Sequence, residues 1–246
     1  YIYFKLKNLE KRDYRDILKK ISLKIRLGWI AELFGDYDLA ISFLIKDVGE
    51  LVGKLDYIFR DLGEFITDKK IIFVKKHIVL GYNFTDRKRE IITLKISKDV
   101  LKLSSIDNKI LEFIEKNARF DYINLALKTG LNAQTIKKHI FNLQKNNIIK
   151  SYGLFLNYVS FGYDWKTCIL NLTLNAPIKR IIGFLSNEKN VPFVSVSIDN
   201  NIVFDFISQS PQELKIFLGR IKKSFDIFIK NYSLFEVNDV LQRPYT

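Results

Sequence analysis

Residues 117–153 read NARFDYINLALKTGLNAQTIKKHIFNLQKNNIIKSYG, and this stretch decides how the rest of the chain is interpreted. Thr129-Gly130-Leu131 separates two short amphipathic segments, and glycine readily ends a helix in the left-handed conformation. Asp121 and Asn132 stand where helix N-caps are expected, since their side-chain oxygens accept backbone hydrogen bonds. Two helices joined by a short turn that contains glycine predict a helix-turn-helix.

The second of these helices has a clear apolar face. Ile136, Ile140 and Leu143 recur at i, i+4 and i+7, which predicts that they point into a core. The helix before it and a further helix upstream, capped by Ser104 or Ser105, supply more apolar side chains. These are Ile106, Ile110, Phe113, Ile114, Ile123, Ala126 and Leu127.

A wing completes the predicted module. Residues 148–153 predict a small strand after the last helix, so that 101–153 as a whole is interpreted as a winged helix-turn-helix. Three short helices with a tight turn also occur as simple packing units, and the pattern alone leaves that alternative open.

The net charge favours a nucleic-acid partner. The chain carries 40 basic and 27 acidic side chains, a formal charge of +13. Residues 81–152 hold 14 of the basic and 7 of the acidic ones, so the excess lies in the centre of the chain. Neutralising phosphates releases counterions, which makes such an excess typical of DNA binding. The alternative is a lysine-rich composition with many solvated side chains.

Composition excludes several other classes. The chain has 246 residues, 48% apolar and 27% charged, as in globular proteins. No apolar run approaches the roughly 18 to 20 residues of a membrane span, and no basic-then-apolar leader opens the sequence. Cys168 is the single cysteine and cannot form an internal disulfide. We therefore expect a cytoplasmic protein without a membrane partner. Because the chain begins at Tyr1 and lacks methionine, we also expect a segment before it.

Both flanks of the central module show the same order of elements, β-α-β-β-α-β, which is the ferredoxin-like arrangement. In the first flank the predicted elements are 1–7, 13–25, 26–34, 38–46, 48–62 and 65–79. In the second they are 166–174, 177–187, 194–199, 202–208, 210–229 and 232–240. Helices cover only one face of such a sheet. The other face needs a cover, either the second copy packed sheet against sheet or a homodimer.

With these elements in place, the central stretch resembles the winged helix-turn-helix of the Lrp/AsnC (feast/famine) transcriptional regulators. The resemblance rests on Leu103, Asp107, Ile110, Leu111, Asn117-Ala118-Arg119, Leu125-Ala126, Gly130-Leu131, Ile136, Ile140, Leu143 and the Ile-Ile-x-x-Tyr of 148–152. Two positions depart from the family, which usually has Arg at His139 and Ser or Thr at Asn132.

The resemblance implies an α+β chain in which two ferredoxin-like βαββαβ (RAM) domains flank a winged helix-turn-helix. The boundaries are 1–80 for the first RAM-like domain, 81–100 for a linker, 101–153 for the DNA-binding domain and 154–246 for the second RAM-like domain. The layout is similar to archaeal tandem regulators whose N-terminal helix-turn-helix is missing here. It implies no enzyme activity and no cofactor.

The function that follows is sequence-specific binding of double-stranded DNA in transcription regulation. Helix geometry turns one polar face away from Ile136, Ile140 and Leu143. The predicted DNA-contacting residues are Asn132, Gln134, Thr135, Lys137, Lys138, His139 and Asn142. An amino acid or another small effector is implied at a RAM interface. Its predicted contacts are Gly35, Asp36 and Asp38, in a hairpin similar to the family's Gly-x-Tyr-Asp.

Two alternatives stay open. Siroheme decarboxylases resemble the same pair of folds and rely on His and Arg around a pocket, whereas His77 and His139 are the only histidines here. The other alternative is an oligomerising small-molecule sensor with a degenerate DNA-binding module. Two histidines and one cysteine without ligand spacing predict no metal site.

Overall fold

The structure is a computed structural model that describes residues 1–7, 11–81, 91–95, 102–152 and 156–242. They form two compact units, one of the described residues within 1–95 and 157–242 and the other of those within 102–156. The mixed α and β composition predicted from the sequence is confirmed. None of the helices in the described ranges is long and apolar enough to cross a membrane.

The first unit contains the two flanks. Its first half comprises β1 (Ile2–Leu6), α1 (Lys11–Lys24), β2 (Ile30–Phe34), β3 (Leu39–Ile41), α2 (Val48–Leu62) and β4 (Ile66–Ile71). Then come β5 (Val74–Val79) and β6 (Ile92–Lys95). Its second half comprises β7 (Asp164–Leu172), α6 (Ile178–Ser186), β8 (Phe193–Ser197), β9 (Ile202–Ser208), α7 (Pro211–Phe225) and β10 (Ile229–Gln242). The second unit contains α3 (Ser105–Lys116), α4 (Tyr122–Thr129) and α5 (Ala133–Lys145).

Three strand predictions in the first half are wrong in extent. The strands predicted over 26–34 and 38–46 are observed only over β2 and β3. Beyond the paired residues, the backbone N–H groups of Gly28 and Ser42 still donate to Ser42 O and Trp29 O, but the regular ladder does not continue. The single strand predicted over 65–79 is two strands that separate at Ile72 and Phe73. At this point the backbone changes partners, since β4 pairs with β1 and β5 pairs with β8.

The ten strands of the described ranges belong to one antiparallel sheet in the order β4-β1-β3-β2-β10-β7-β9-β8-β5-β6. The two halves meet where β2 pairs with β10, in a register that places Phe34 opposite Glu236 and Ala31 opposite Val240. The strand β5 then pairs with β8 at the far end of the second half. The two βαββαβ halves therefore share one hydrogen-bonded sheet.

Each half buries an apolar strand face under its own two helices. Ile2 and Phe4 alternate along β1 and pack with Ile58 and Leu62 of α2, and all four side chains are at most 2% exposed. The second half repeats this arrangement, with Phe204 of β9 under α6 and α7. Burying a phenylalanine side chain contributes about 2 kcal/mol, so these faces hold the helices on the sheet.

The opposite faces of the two halves cover each other. Tyr3 of β1 lies 5.2 Å from Phe235 of β10, measured between ring centroids, and Trp29 lies 6.2 Å from Trp165. In a flat sheet, strands three places apart would be about 14 Å apart. The sheet is therefore folded across itself, and the cover expected for the open face is supplied within the chain.

This covered face contains a buried carboxylate. Asp205 is 1% exposed and accepts hydrogen bonds from Trp165 Nε1 at 2.5 Å and from Thr167 Oγ1 at 2.7 Å. Burial raises the pKa of Asp205 to about 7, although these two hydrogen bonds act to lower it. The folded protein therefore binds a proton at Asp205 more tightly than the unfolded chain does.

We expect Asp205→Asn to change how stability depends on pH. The unfolded carboxyl ionises near pH 4, so its contribution to wild-type stability is present below pH 4 and is lost as the pH rises to about 7. An uncharged amide does not ionise, and above pH 7 the variant should be more stable, by at most on the order of 4 kcal/mol. Urea denaturation at pH 4, 5.5 and 8 measures the difference, and parallel pH profiles for the two proteins would contradict it.

Candidate nucleic-acid interface

The three helices of the second unit begin at the predicted capping residues. Ser104, rather than Ser105, caps α3, and Asp107 completes a capping box in which each side chain accepts from the other's backbone N–H at 3.0 Å. Asp121 caps α4, which ends at Gly130 with φ of 71°. Asn132 Oδ1 accepts from Thr135 N at 2.8 Å and caps α5. Gly130 and the Asn132 cap together define the turn between α4 and α5.

A small aliphatic core holds α5 in place. Ile136, Ile140 and Leu143 are at most 3% exposed and pack against Ile110 of α3 and Leu125 of α4. This confirms the predicted buried stripe. Because one face of α5 is fixed inward, its opposite face is presented to solvent.

The apolar pattern predicted for α4 is only partly buried. Leu125 and Ala126 enter the core, whereas Ile123 and Leu127 are 63% and 77% exposed. The helix has eight residues and buries only one narrow edge, so the two outer aliphatic side chains have no core to enter. Of Ile123, Ala126 and Leu127, the apolar residues noted on this helix in the sequence, only Ala126 is therefore buried.

The wing strand is not observed over 148–152, and Gly153 lies outside the described residues. Asn147 adopts φ of 57°, and the backbone N–H groups of Ile148 and Ile149 both donate to Leu143 O. The chain thus folds back onto the end of α5, where Ile149 joins the core. This local capping competes with an extended strand at Ile148 and Ile149.

The outward face of α5 is polar and basic. Among the residues predicted to contact DNA, the exposed ones are Asn132, Gln134, Lys137, Lys138 and Asn142, while Thr135 and His139 are half-buried. Between residues 132 and 150 the chain has four lysines and no acidic side chain. This face therefore offers amide groups and positive charge with no competing carboxylate from its own helix.

His139 is half-buried and contacts another helix of its unit. Its Nδ1 lies 2.7 Å from Asp107 Oδ1 and links α5 to the first turn of α3. Burial acts to raise the pKa of Asp107, but the hydrogen bonds from Ser104 and His139 outweigh it, so the pKa lies below the usual 3.8. Sequence reasoning missed this pair because its members are 32 positions apart. The one local signal was Asp107 itself, an acidic residue at the third position of the α3 capping box.

The predicted effector residues lie in the first unit, in the hairpin between β2 and β3. Asp38 Oδ2 accepts from Leu6 N at 2.7 Å, and Asp38 Oδ1 lies 3.3 Å from Lys5 Nζ. Lys5 also donates to the carbonyl of Gly35 at 3.0 Å. The hairpin is thus tied to β1, and Asp36 is the exposed carboxylate of the three predicted residues.

Other reactive side chains are held in structural contacts. Cys168 is buried, and burial raises the pKa of its thiol. His77 Nδ1 lies 2.7 Å from Ser195 Oγ, and burial lowers the pKa of this imidazole to about 4. Within the described ranges, no group of three or more His, Cys, Asp or Glu side chains is arranged to hold a metal ion.

Sequence comparisons point to DNA-binding proteins. Residues 103–150 match a family model of winged helix-turn-helix DNA-binding domains. An uncharacterized HTH-type transcriptional regulator of Pyrococcus horikoshii is 30% identical over 94 residues, which cover 38% of this chain and 64% of that protein. The regulator LrpB of Bacillus subtilis is 28% identical over 143 residues, covering 51% and 95%. The chain spans less than two thirds of the length of the first two relatives, 64% and 60%.

Solved structures extend the likeness at the level of the fold. The siroheme decarboxylase NirDL, in complex with an iron-uroporphyrin III analogue, matches 99% of this chain and 72% of its own with a TM-score of 0.63 and 11% identity. The crystal structure of PH0061 matches 60% of this chain and all of its own with a TM-score of 0.53 and 17% identity. Both values describe similarity of fold.

We expect His139→Ala to loosen α5 without unfolding the protein. The substitution removes a hydrogen bond between helices and leaves the half-buried Asp107 with fewer partners, a loss of about 1 kcal/mol. Hydrogen–deuterium exchange of the α5 amides should accelerate severalfold. Gln134→Ala, on the exposed face of the same helix, is the matched control. Equal protection in the two variants would show that the link to α3 does not position α5.

Proposed function

We propose that the chain, which is similar in sequence to Lrp/AsnC-type transcriptional regulators, binds double-stranded DNA and regulates transcription. The observation that carries the proposal is the basic, amide-bearing face of α5, held outward by the burial of Ile136, Ile140 and Leu143. In a helix-turn-helix the second helix enters the major groove. Here that helix is α5.

The exposed side chains of α5 divide by chemistry. Gln134 and Asn142 carry amides, which can pair with the N6 and N7 atoms of adenine in the major groove. Lys137 and Lys138 suit phosphate oxygens, which fix the position of a protein on DNA without reading its sequence. The N-terminal turn of α5, from Asn132 to Thr135, adds the positive end of the helix dipole. We therefore assign base contacts to the amides and backbone contacts to the lysines.

In this proposal the two βαββαβ halves are RAM-like domains with boundaries 1–80 and 154–246, the DNA-binding domain is 101–153, and 81–100 is the linker. Their pairing through β2 and β10 supports a role as an intrachain pseudo-dimer. A homodimer of such chains would carry two copies of α5, suited to half-sites about 34 Å apart. An amino-acid effector, predicted near Gly35, Asp36 and Asp38, would shift the populations of DNA-binding and non-binding states.

We expect Lys138→Ala to weaken binding to every duplex sequence. Removing one phosphate contact should lower the slope of log K against log salt by about one unit. Fluorescence anisotropy with a labelled random-sequence duplex, titrated at several salt concentrations, measures both quantities.

Lys215→Ala is the matched control, because Lys215 is an exposed lysine on α7 of the other unit. An unchanged slope and affinity in Lys138→Ala would remove Lys138 from the interface. Absence of any salt-dependent DNA binding by the chain would favour a small-molecule sensor with a degenerate DNA-binding module.

A second candidate function is tetrapyrrole chemistry of the siroheme decarboxylase type. The observation in its favour is the fold likeness to NirDL, which extends over 99% of this chain. Both histidines, however, already have protein partners, since His77 contacts Ser195 and His139 contacts Asp107.

Titration with iron-uroporphyrin III separates the two functions. For the DNA-binding function we expect no saturable change in the visible absorbance band of the porphyrin when the chain is added. A saturable band shift that His77→Ala abolishes, while Lys138→Ala retains it, would favour the tetrapyrrole function instead.

A further inference from the structure

The solvent face of α2 has a composition that contacts within the chain do not explain. Val48 and Val52 are about one helical turn apart, and their side chains are 72% and 50% exposed. Gly49 and Gly53 follow them, and a Cβ atom at Gly53 would meet nothing within 4 Å. Glycine inside a helix lowers helix stability relative to alanine. A second surface that approaches the helix backbone closely would account for both the exposed valines and the glycine.

The charges on this segment identify that second surface. Within residues 46–61, the charged side chains with hydrogen-bond or ion-pair partners are Asp47, Glu50, Lys54, Arg60 and Asp61. Lys46 and Asp56 are exposed, and neither side chain has an ion-pair partner among the described residues. Lys46 lies beside Glu50, but that carboxylate pairs with Lys54 at 3.0 Å. The face therefore has an unpaired positive charge at one end and an unpaired negative charge at the other.

A twofold axis brings these unpaired charges together. Lys46 lies three positions before Gly49, and Asp56 lies three positions after Gly53. Two antiparallel copies of α2 that cross midway between the glycines therefore place Lys46 of each copy opposite Asp56 of the other. The crossing point is where the glycines allow the closest approach of the two backbones. We propose that this face of α2 is an interface between two copies of the chain.

The equivalent helix of the second half, α7, lacks this complementarity. Its exposed face also carries a glycine, Gly219, where an added Cβ atom would meet nothing within 4 Å. Lys215 and Lys223 lie four positions before and after Gly219, so an antiparallel crossing there would oppose lysine to lysine. Like charges that face each other across an interface disfavour association. Two copies are therefore expected to meet through α2 and not through α7.

The expected dimer is weak and symmetric. A contact made by one helix of each chain is smaller than the roughly 1,200 Å² of a standard stable interface, so association should depend on protein concentration. The valines supply apolar burial, and the two pairs of Lys46 with Asp56 fix the register of the helices. A twofold interface uses the same residues on both sides, so it closes at two copies. Two chains joined in this way would carry two copies of α5, and only that consequence rests on the proposed DNA-binding function.

The interface is tested by sedimentation velocity of the full chain at rising concentration, without DNA. We expect the wild-type protein to form dimers reversibly. Lys46→Glu opposes two carboxylates at each end of the interface, and Asp56→Lys opposes two ammonium groups, so each variant should weaken dimerisation about tenfold. An equimolar mixture of the two variants should restore the dimer, because both pairs across the heterodimer again have opposite charges.

Two further variants separate the interface from general effects of charge and stability. Gly53→Ala favours the helix in the monomer but should weaken the dimer, because the added methyl group holds the two backbones apart. Lys179→Glu changes an exposed charge on α6 and should leave dimerisation unchanged. A monomer at every concentration, a dimer that both charge variants retain at wild-type affinity, or a mixture that fails to associate would overturn the proposal. Because DNA is absent from these measurements, their failure is distinguishable from failure of DNA binding.

Discussion

The burial of one aliphatic stripe on α5 is the constraint on which the functional account depends. With Ile136, Ile140 and Leu143 in the core, the helix cannot rotate without exposing them, and each costs roughly 1.5 to 3 kcal/mol to expose. The same constraint fixes which side chains face solvent. The link between His139 and Asp107 adds a polar contact on the α3 side. Packing of the apolar face therefore determines which side chains of α5 face solvent.

In the first unit, the two sheet faces that carry no helices cover each other within a single chain. Pairing of β2 with β10 joins the halves by backbone hydrogen bonds, and the fold of the sheet then brings Tyr3 against Phe235. The interior formed in this way is not purely apolar. It encloses Asp205, bonded to Trp165 and Thr167, so part of the stability of the sandwich depends on the protonation of one carboxyl.

Much of this architecture was predictable because it is encoded locally. The bounds of α2, the caps of α3, α4 and α5, and the end of α4 at Gly130 follow from side chains within one turn of each position. The hairpin between β8 and β9 likewise has Asn200 at positive φ, a conformation that asparagine tolerates. The buried stripe of α5 was predictable from the helical spacing of its apolar residues alone.

The features that escaped prediction depend on distant partners. The break at Ile72 and Phe73 interrupts a continuous apolar run, and it arises because β4 and β5 pair with different halves. The contact between His139 and Asp107 joins two helices whose residues are 32 positions apart. No local periodicity reports such long-range pairings. For the candidate site, the period of α5 predicted its polar face, whereas nothing in the sequence predicted the contact of His139 with α3.

The most direct test of the central claim is to follow the side-chain amides of Gln134 and Asn142 by nuclear magnetic resonance while a duplex is added. Both lie on the exposed face of α5, whereas Asn171 and Asn231 of the sheet, bonded to each other, serve as internal references. We expect the α5 amides to shift on binding while the sheet pair does not. Binding of duplex that leaves both α5 amides unshifted would contradict this expectation.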